Sequence, residues 1–394
     1  MKRNIRAFVT YAVLGVLCVA ALVAYGGSKG WFASPAAAMT ASASALSGTA
    51  SADASSGAHT ASAQATADST AATATPPTAT ILAAGVNPFA RSDGDAHNAT
   101  LMAAAIQMPA QHVVGIAQGG DYSAVVRAVM ENAGGLKELI KPGSNVLIKP
   151  NLIAGRPQGS PVCTDPRVIQ AIADIAYELG AGKVIVAEAS PAGDAFQMAE
   201  YDKLQGVQIV DLNKSVEEDC YVLKADGSQT DRELYIPKVY MDADVVIGAA
   251  KLKTHFQPEA RVSLGLKLSM GVPPTGLYGS SMGKIMLHNM GLKEVIIDLN
   301  RIRRPDFMFI DGIVAGEGYG PLANEPVQAD IMFAGSDIVA LDTVALTYMG
   351  FSLDEVPHVK LAADLKMGES DLSKITVVGA ELDKIKTRFR RANE

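Results

Sequence analysis

Residues 145–190 read NVLIKPNLIAGRPQGSPVCTDPRVIQAIADIAYELGAGKVIVAEAS. NVLIK (145–149) is a short apolar run of the kind that forms a buried strand. TDPRVIQAIADIAYELGAG (164–182) places Val168, Ile169, Ile172, Ile175, Ala176 and Leu179 at helical spacing. Thr164 or Asp165 supplies an N-cap, Pro166 falls in the first turn and Gly180 stops the helix. KVIVAEAS (183–190) then reads as a second strand, so the stretch predicts a strand, a crossover helix and a parallel strand.

The same alternation continues outward. VQIVDL (207–212), DVVIGA (244–249), DFMFIDG (306–312), DIMFAGS (330–336) and KITVVG (374–379) predict further strands, and helices are expected at about 122–133, 291–303, 337–348 and 357–366. Apolar strands separated by helices predict an α/β fold with mainly parallel strands and helices on both faces. Residues 213–240 have room for a hairpin excursion, so one sheet and two lobes both fit.

The chain of 394 residues has a net charge of −7 and is 48% hydrophobic, but its halves differ. Lys2, Arg3 and Arg6 precede an uncharged apolar run over residues 7–25, close to the roughly 20 residues that cross a bilayer. Residues 1–32 are read as a signal-anchor or a signal peptide. By the positive-inside rule the remainder is extracytoplasmic, membrane-anchored or, after cleavage, secreted. Residues 33–100 are rich in Ala, Ser and Thr and are expected to form a disordered linker, because they offer little to bury. The folded domain is placed at 101–394.

In open α/β sheets ligands bind beyond the carboxyl ends of the strands, so the residues there are the candidates for chemistry. Lys149 and Asn151 follow the first strand and Glu188 ends the second. Lys251, Lys253, Thr254 and His255 follow the strand predicted at 244–249, and Asp311 and Glu317 follow FMFI. The lysines suit a small anionic ligand. Lys253 and His255 are candidates for moving a proton, and Lys149, Asn151, Asp165, Lys251 and Lys267 for binding. The oxygens of Asp311 and Glu317 suit a divalent metal or ion pairs with the lysines, and Asp337 and Asp342 are further acidic candidates, Asp337 also as a helix N-cap. Cys163 and Cys220 lack cluster or zinc spacing, so no iron–sulfur cluster is expected. The glycines of DGIVAGEGYGP (311–321) do not lie between a strand and a helix start, which argues against NAD or FAD. An acidic, aromatic-poor chain gives no nucleic-acid footprint.

KPN (149–151), TDPRVIQAIADIAYELGA (164–181), KLKTH (251–255), GLK (265–267), FIDGIVAGEGYGP (309–321) and SDIVALD (336–342) occur in an order that resembles the DUF362 family. The resemblance implies an α/β domain and gathers Lys149, Asp165, Lys251, Lys253, His255, Lys267, Asp311 and Glu317 into one site. Some members carry a ferredoxin-like module with two four-iron clusters, whose cysteines this chain lacks. The family usually continues GLK with Asn, where this chain has Leu268, and often has Gly where Asn324 stands. Two functions of different class fit: an extracytoplasmic enzyme or enzyme-like domain acting on a small anion, or a membrane-tethered accessory protein serving a redox partner.

Overall fold

The computed structural model describes residues 77–90, 111–279 and 284–394. The expected membrane segment (1–32) and most of the expected linker lie outside them. Among the described residues no helix is long and apolar enough to cross a membrane.

The strands in chain order are β1 (Thr80–Ile81), β2 (Val113–Gln118), β3 (Asn145–Pro150), β4 (Lys183–Glu188), β5 (Gln208–Asp211), β6 (Cys220–Leu223), β7 (Leu234–Pro237), β8 (Val245–Thr254), β9 (Val262–Ser263), β10 (Phe307–Tyr319), β11 (Ala323–Gly335) and β12 (Thr376–Val378). The helices that matter here are α1 (Tyr122–Asn132), α2 (Pro166–Glu178), α3 (Ile285–Asn289), α4 (Leu292–Arg303), α5 (Ile338–Tyr348) and α6 (Pro357–Asp364).

Ten strands form one sheet in the order β1-β5-β4-β3-β8-β10-β11-β2-β12, with β9 paired to β8. The pairs from β1 to β10 along this path are parallel, as is β12 with β2, while β11 runs antiparallel to both its neighbours. The α/β expectation holds, and the choice between one sheet and two lobes resolves to one main sheet. Residues 213–240 do make a hairpin, β6 with β7, as a separate two-stranded sheet.

Side chains on a strand alternate between faces, and β8 shows how the sheet divides the core. Val245, Ile247 and Ala249 join one apolar cluster with Val125 of α1 and Val168 of α2. Val246, Ala250 and Leu252 join the other, with Val295 of α4, Val344 of α5 and Val359 of α6. The start of α2 follows the sequence reading. Asp165 caps it, accepting from Arg167 N at 3.0 Å, with Pro166 as its first residue.

Three expectations are corrected. Residues 77–90 fall within the segment expected as linker, yet Thr80–Ile81 pair in parallel with β5 and Phe89 is buried in the core. The strand predicted at 244–249 runs on to Thr254, so Lys251 and Lys253 lie within a strand and not beyond its end. Third, the glycine-rich segment is strand. β10 reaches Tyr319 and pairs with β11 as a long hairpin, with a register shift between Gly312 and Val314. The glycines there serve close approach. A Cβ on Gly320 would sit 2.0 Å from the carbonyl oxygen of Thr254, where β8 ends.

Asp342 ties α5 to the loop that carries GLK. Its carboxylate accepts from Gly265 N at 2.7 Å and Leu266 N at 2.9 Å, so both oxygens are taken up by backbone. Burial lifts its pKa to about 7 against those two bonds, which pull the other way. Asp337 caps α5 through Val339 N and Ala340 N. Asp342→Ala would strand two buried N–H groups, and a loss of about 2–4 kcal/mol is expected in chemical denaturation. An acid whose folded pKa is raised binds more protons folded than unfolded between about pH 4 and 7, so its contribution to stability falls as pH rises through that window. That component of the pH profile is expected to disappear in the variant.

Candidate functional site

The carboxyl ends of β3, β4, β8 and β10 gather five lysines, and hydrogen bonding sorts them. Lys149 is buried and donates to Glu188 Oε2 and to the Pro150 carbonyl, both at 2.7 Å. Leu152 N donates to the same Glu188 oxygen at 3.1 Å. Lys251 lies directly across from Asp311 in the parallel register of β8 and β10, and the two form a buried ion pair at 2.8 Å. Asp311 also accepts from Asp165 N at 3.0 Å and Ile313 N at 3.1 Å. The structure brings Lys149 to Glu188 and Lys251 to Asp311, so each of these ammonium groups, offered as a ligand contact, is already matched by a carboxylate.

Lys253 is engaged differently. Its three N–H groups are directed at Asn151 Oδ1 (3.3 Å), the Val162 carbonyl (2.5 Å) and the Pro321 carbonyl (3.2 Å). A lysine has three donors, so Lys253 has none left over and acts as a staple joining the loop between β3 and α2 and the turn of the β10–β11 hairpin to β8. Asn151, named as a ligand candidate, is one of its anchors, and Asn151 N also donates to Thr164 Oγ1. Burial pulls the Lys253 pKa down to about 7.

Lys267 is the exception. The residue is partly buried, and the loss of water around it lowers its pKa to about 8. Among the described residues it has no hydrogen-bond or ion-pair partner. Around it lie Lys253, His255, His288 and His358, whose pKa values its charge depresses, and Lys284, which feels it as well. Lys284 donates to the Met270 carbonyl at 2.6 Å, and burial lowers its pKa to about 7. His255 accepts from Gln257 N at Nδ1, which puts its proton on Nε2. Burial holds the ring neutral, well below the ordinary histidine range. Its ring stacks on Phe256, which stacks in turn on Tyr319, so an aromatic column leads from the buried imidazole to two rings that are 39% and 50% exposed.

The turn Leu266–Gly271 is a 3-10 helix, in which residues three apart share a face. Leu266 and Ser269 meet Asn300 of α4, whose amide donates to the Leu266 carbonyl and to Ser269 Oγ. Leu268 packs over Gly248 of β8, and a Cβ on Gly271 would come within 2.4 Å of Lys149 Nζ and 2.2 Å of Glu188 Oε1. That leaves Lys267 and Met270 for the side where Lys284 sits. Leu268, a departure from the family pattern, therefore belongs to the core. Asn324, the other departure, spans from β11 to the end of β8, donating to the Thr254 carbonyl and hydroxyl at 3.2 Å.

Asp165 is occupied as the α2 cap, accepting from Gly159 N at 2.7 Å and pairing with Arg167 at 2.8 Å. Glu317 accepts from Arg390 N at 2.9 Å and pairs with the Arg390 side chain at 3.5 Å. Asp311 and Glu317 thus have separate partners, and no three His, Cys, Asp or Glu side chains among the described residues are grouped to hold a metal ion. The carboxylates do not fit a shared metal site. Cys163 and Cys220 are free and buried.

Sequence reasoning does not single out Lys284, His288 or His358. Nothing local marks Lys284 and His358 as buried; their surroundings come from elements far away in the chain.

A family model described as a domain of unknown function, DUF362, matches residues 146–347. A thylakoid-associated protein of Synechocystis is 32% identical over 260 residues, 64% of this chain and 76% of the relative. The chain belongs to the DUF362 family. Among solved structures, the lactate racemase apoprotein of Thermoanaerobacterium thermosaccharolyticum aligns at 15% identity with a TM-score of 0.38, covering 58% of this DUF362 chain and 56% of the racemase. A Thermotoga maritima protein aligns at 13% identity with a TM-score of 0.30, covering 53% of this chain and 55% of that protein.

Opposite substitutions should separate the matched lysines from the unmatched one. Lys251→Met leaves Asp311 buried without its counter-charge and is expected to cost about 3–5 kcal/mol in denaturant unfolding. Lys267→Met removes a cation that nothing matches, and its melting temperature is expected to equal or exceed that of the parent. A base whose folded pKa is lowered binds fewer protons folded than unfolded, so stability from Lys253, Lys284 and Lys267 should rise from about pH 7 towards 10.5. In Lys267→Met that rise should be smaller, most clearly above pH 8.

Proposed function

We propose that this protein is a small-anion-binding, enzyme-like domain, with Lys267 as the principal anion contact and Lys284 and His255 beside it. The observation that carries this reading is the unmatched Lys267 ammonium. Burying a charge without a partner is costly, and a chain that keeps three lysines and three histidines around one point has reason to if an anion completes the site. The free donors support the same assignment. Among the described residues Lys267 has all three N–H groups unused, Lys284 donates to one carbonyl with three N–H groups, and His255 has its Nε2–H.

The lowered lysine pKa values, about 7 to 8, add a consequence. Near neutral pH these groups are partly deprotonated. An arriving anion would raise their pKa values and draw protons onto them, so binding would be coupled to proton uptake. The neutral fraction also equips Lys267 for base or nucleophile chemistry on a bound substrate. The apolar amino terminus and the thylakoid association of the Synechocystis relative both support a protein held at a membrane, and the basic residues before the apolar run support a folded domain on the extracytoplasmic side.

Sulfate is the appropriate probe because its charge is constant across this pH range. Sulfate added to the full-length chain at about 100 times its dissociation constant should stabilise by about 2.7 kcal/mol, read as a raised melting temperature. Affinity should weaken from pH 7 to 9, calorimetry in buffers of different ionisation enthalpy should record proton uptake, and Lys267→Met should abolish the shift. The reading fails if sulfate, phosphate and malonate all leave melting unchanged, or if Lys267→Met keeps the full response.

A further inference from the structure

The Lys267 cluster is bordered by apolar side chains that face water. Phe256 follows His255 directly and Tyr319 stacks on Phe256, and both rings are exposed. Ile285 and Met286 follow Lys284 directly on α3 and are 44% and 49% exposed. The two pairs belong to one neighbourhood. Glu259, three residues after Phe256, accepts from Leu292 N at 2.9 Å, which ties the loop of Phe256 to the start of α4, and α3 packs on α4. A scattered apolar side chain on a surface needs no explanation, but large ones gathered in one place mark where something apolar binds.

Backbone bonds hold the aromatic pair ready. Phe256 N donates to the Gly320 carbonyl at 2.9 Å, and the Thr254 hydroxyl donates to the Gly318 carbonyl at 2.8 Å. The residues on either side of Tyr319 are thereby pinned to the strand end that carries His255. His255 N donates in turn to the Arg261 carbonyl at 2.7 Å, closing the loop around Phe256. Phe256 lies between the His255 ring and the Tyr319 ring, each 5.4 Å away and nearly parallel to it, so both of its faces are covered. What it shows to water is its edge. The column is therefore a strip one ring wide, running outward from the imidazole whose charge state Lys267 influences. A strip of this width suits a single alkyl chain, not the broad face of a bilayer.

We propose that the anion of the Lys267 cluster is the head group of a dispersed single-chain amphiphile, whose alkyl chain lies along the edges of Phe256 and Tyr319 with Ile285 and Met286 beside it. This inference rests on Lys267 as the anion contact and adds the class of ligand. A bare inorganic anion uses only the inner end of the surface and leaves the four apolar side chains in water. An alkyl anion uses both ends: the cations orient its head, and burial of its chain adds affinity in proportion to the methylenes covered.

Calorimetric titration of the full-length chain with sulfate, ethyl sulfate and hexyl sulfate, each below its micelle concentration, tests this. The two esters carry the same head group and differ only in chain length. Hexyl sulfate is expected to bind about tenfold or more tightly than ethyl sulfate, which takes fewer than about two fully buried methylenes. Phe256→Ser combined with Tyr319→Ser should cut that ratio to about threefold or less, while sulfate affinity stays within about twofold of the parent. Lys267→Met should abolish binding of both esters. Partition of hexyl sulfate into any carrier detergent or lipid is common to parent and variants and cancels between them, and circular dichroism melting checks that the variants fold. Equal affinity for the two esters, with sulfate bound, overturns this inference and leaves the Lys267 reading intact. Failure of all three ligands to bind overturns both. A ratio that survives the double substitution sets the chain elsewhere, and hexyl sulfate binding that survives Lys267→Met sets the head elsewhere; either result overturns the inference.

Discussion

A charge removed from water has to be met by something, and the continuation of β8 through Thr254 carries two lysines into the interior on one face of the sheet. Much of the surrounding architecture follows from meeting them. Lys251 is answered by Asp311 on the next strand, in register. Lys253 has no carboxylate, and the chain answers it with three oxygens, two from the loop between β3 and α2 and one from the β10–β11 turn. The loop between β3 and α2 and the turn of the β10–β11 hairpin are both held at the sheet edge by one ammonium.

Seen from that edge, the turn Leu266–Gly271 is a three-sided part, each side with its own task. One side rests on the sheet and on the Lys149–Glu188 pair, one is tied to α4, and the third presents Lys267. Asp342 fixes the entrance to the turn by holding two successive backbone N–H groups. The family motifs that stand far apart in the chain, GLK and SDIVALD, are thus one device. The acid of the second serves the geometry of the first.

The fold was largely readable because its signals are local. The α2 cap, Pro166 and the apolar stripe between two strand-like runs specify a crossover unit without reference to anything else, and the unit formed as expected. The longer reach of β8 was not readable. A lysine in a buried strand is tolerated only with a partner, and that partner is sixty positions away in the case of Asp311. The same holds for the site. Lys149, Lys251, Lys253 and His255 stand out by their place after apolar runs and Lys267 by the GLK motif, but the sequence does not say which of them is matched. That depends on hydrogen bonds between distant segments, as does the burial of Lys284 and His358. Leu268 looked like a gap in the site because its neighbours in sequence belong to the site. Helical geometry turns it the other way.

The two ends of the sheet are unusually modest. β1 has two residues and β12 has three. A long bare edge invites pairing with another chain, and short edge strands blunt that tendency. The segment around Thr80 is therefore a lid on the backbone of β5 as much as it is an entry into the domain. A chain shortened to begin after residue 90 would keep every lysine of the candidate site, yet would lose Phe89 from the core and bare β5 to any neighbouring strand. Self-association of such a fragment would say more about its cut edge than about the assembly of the whole protein.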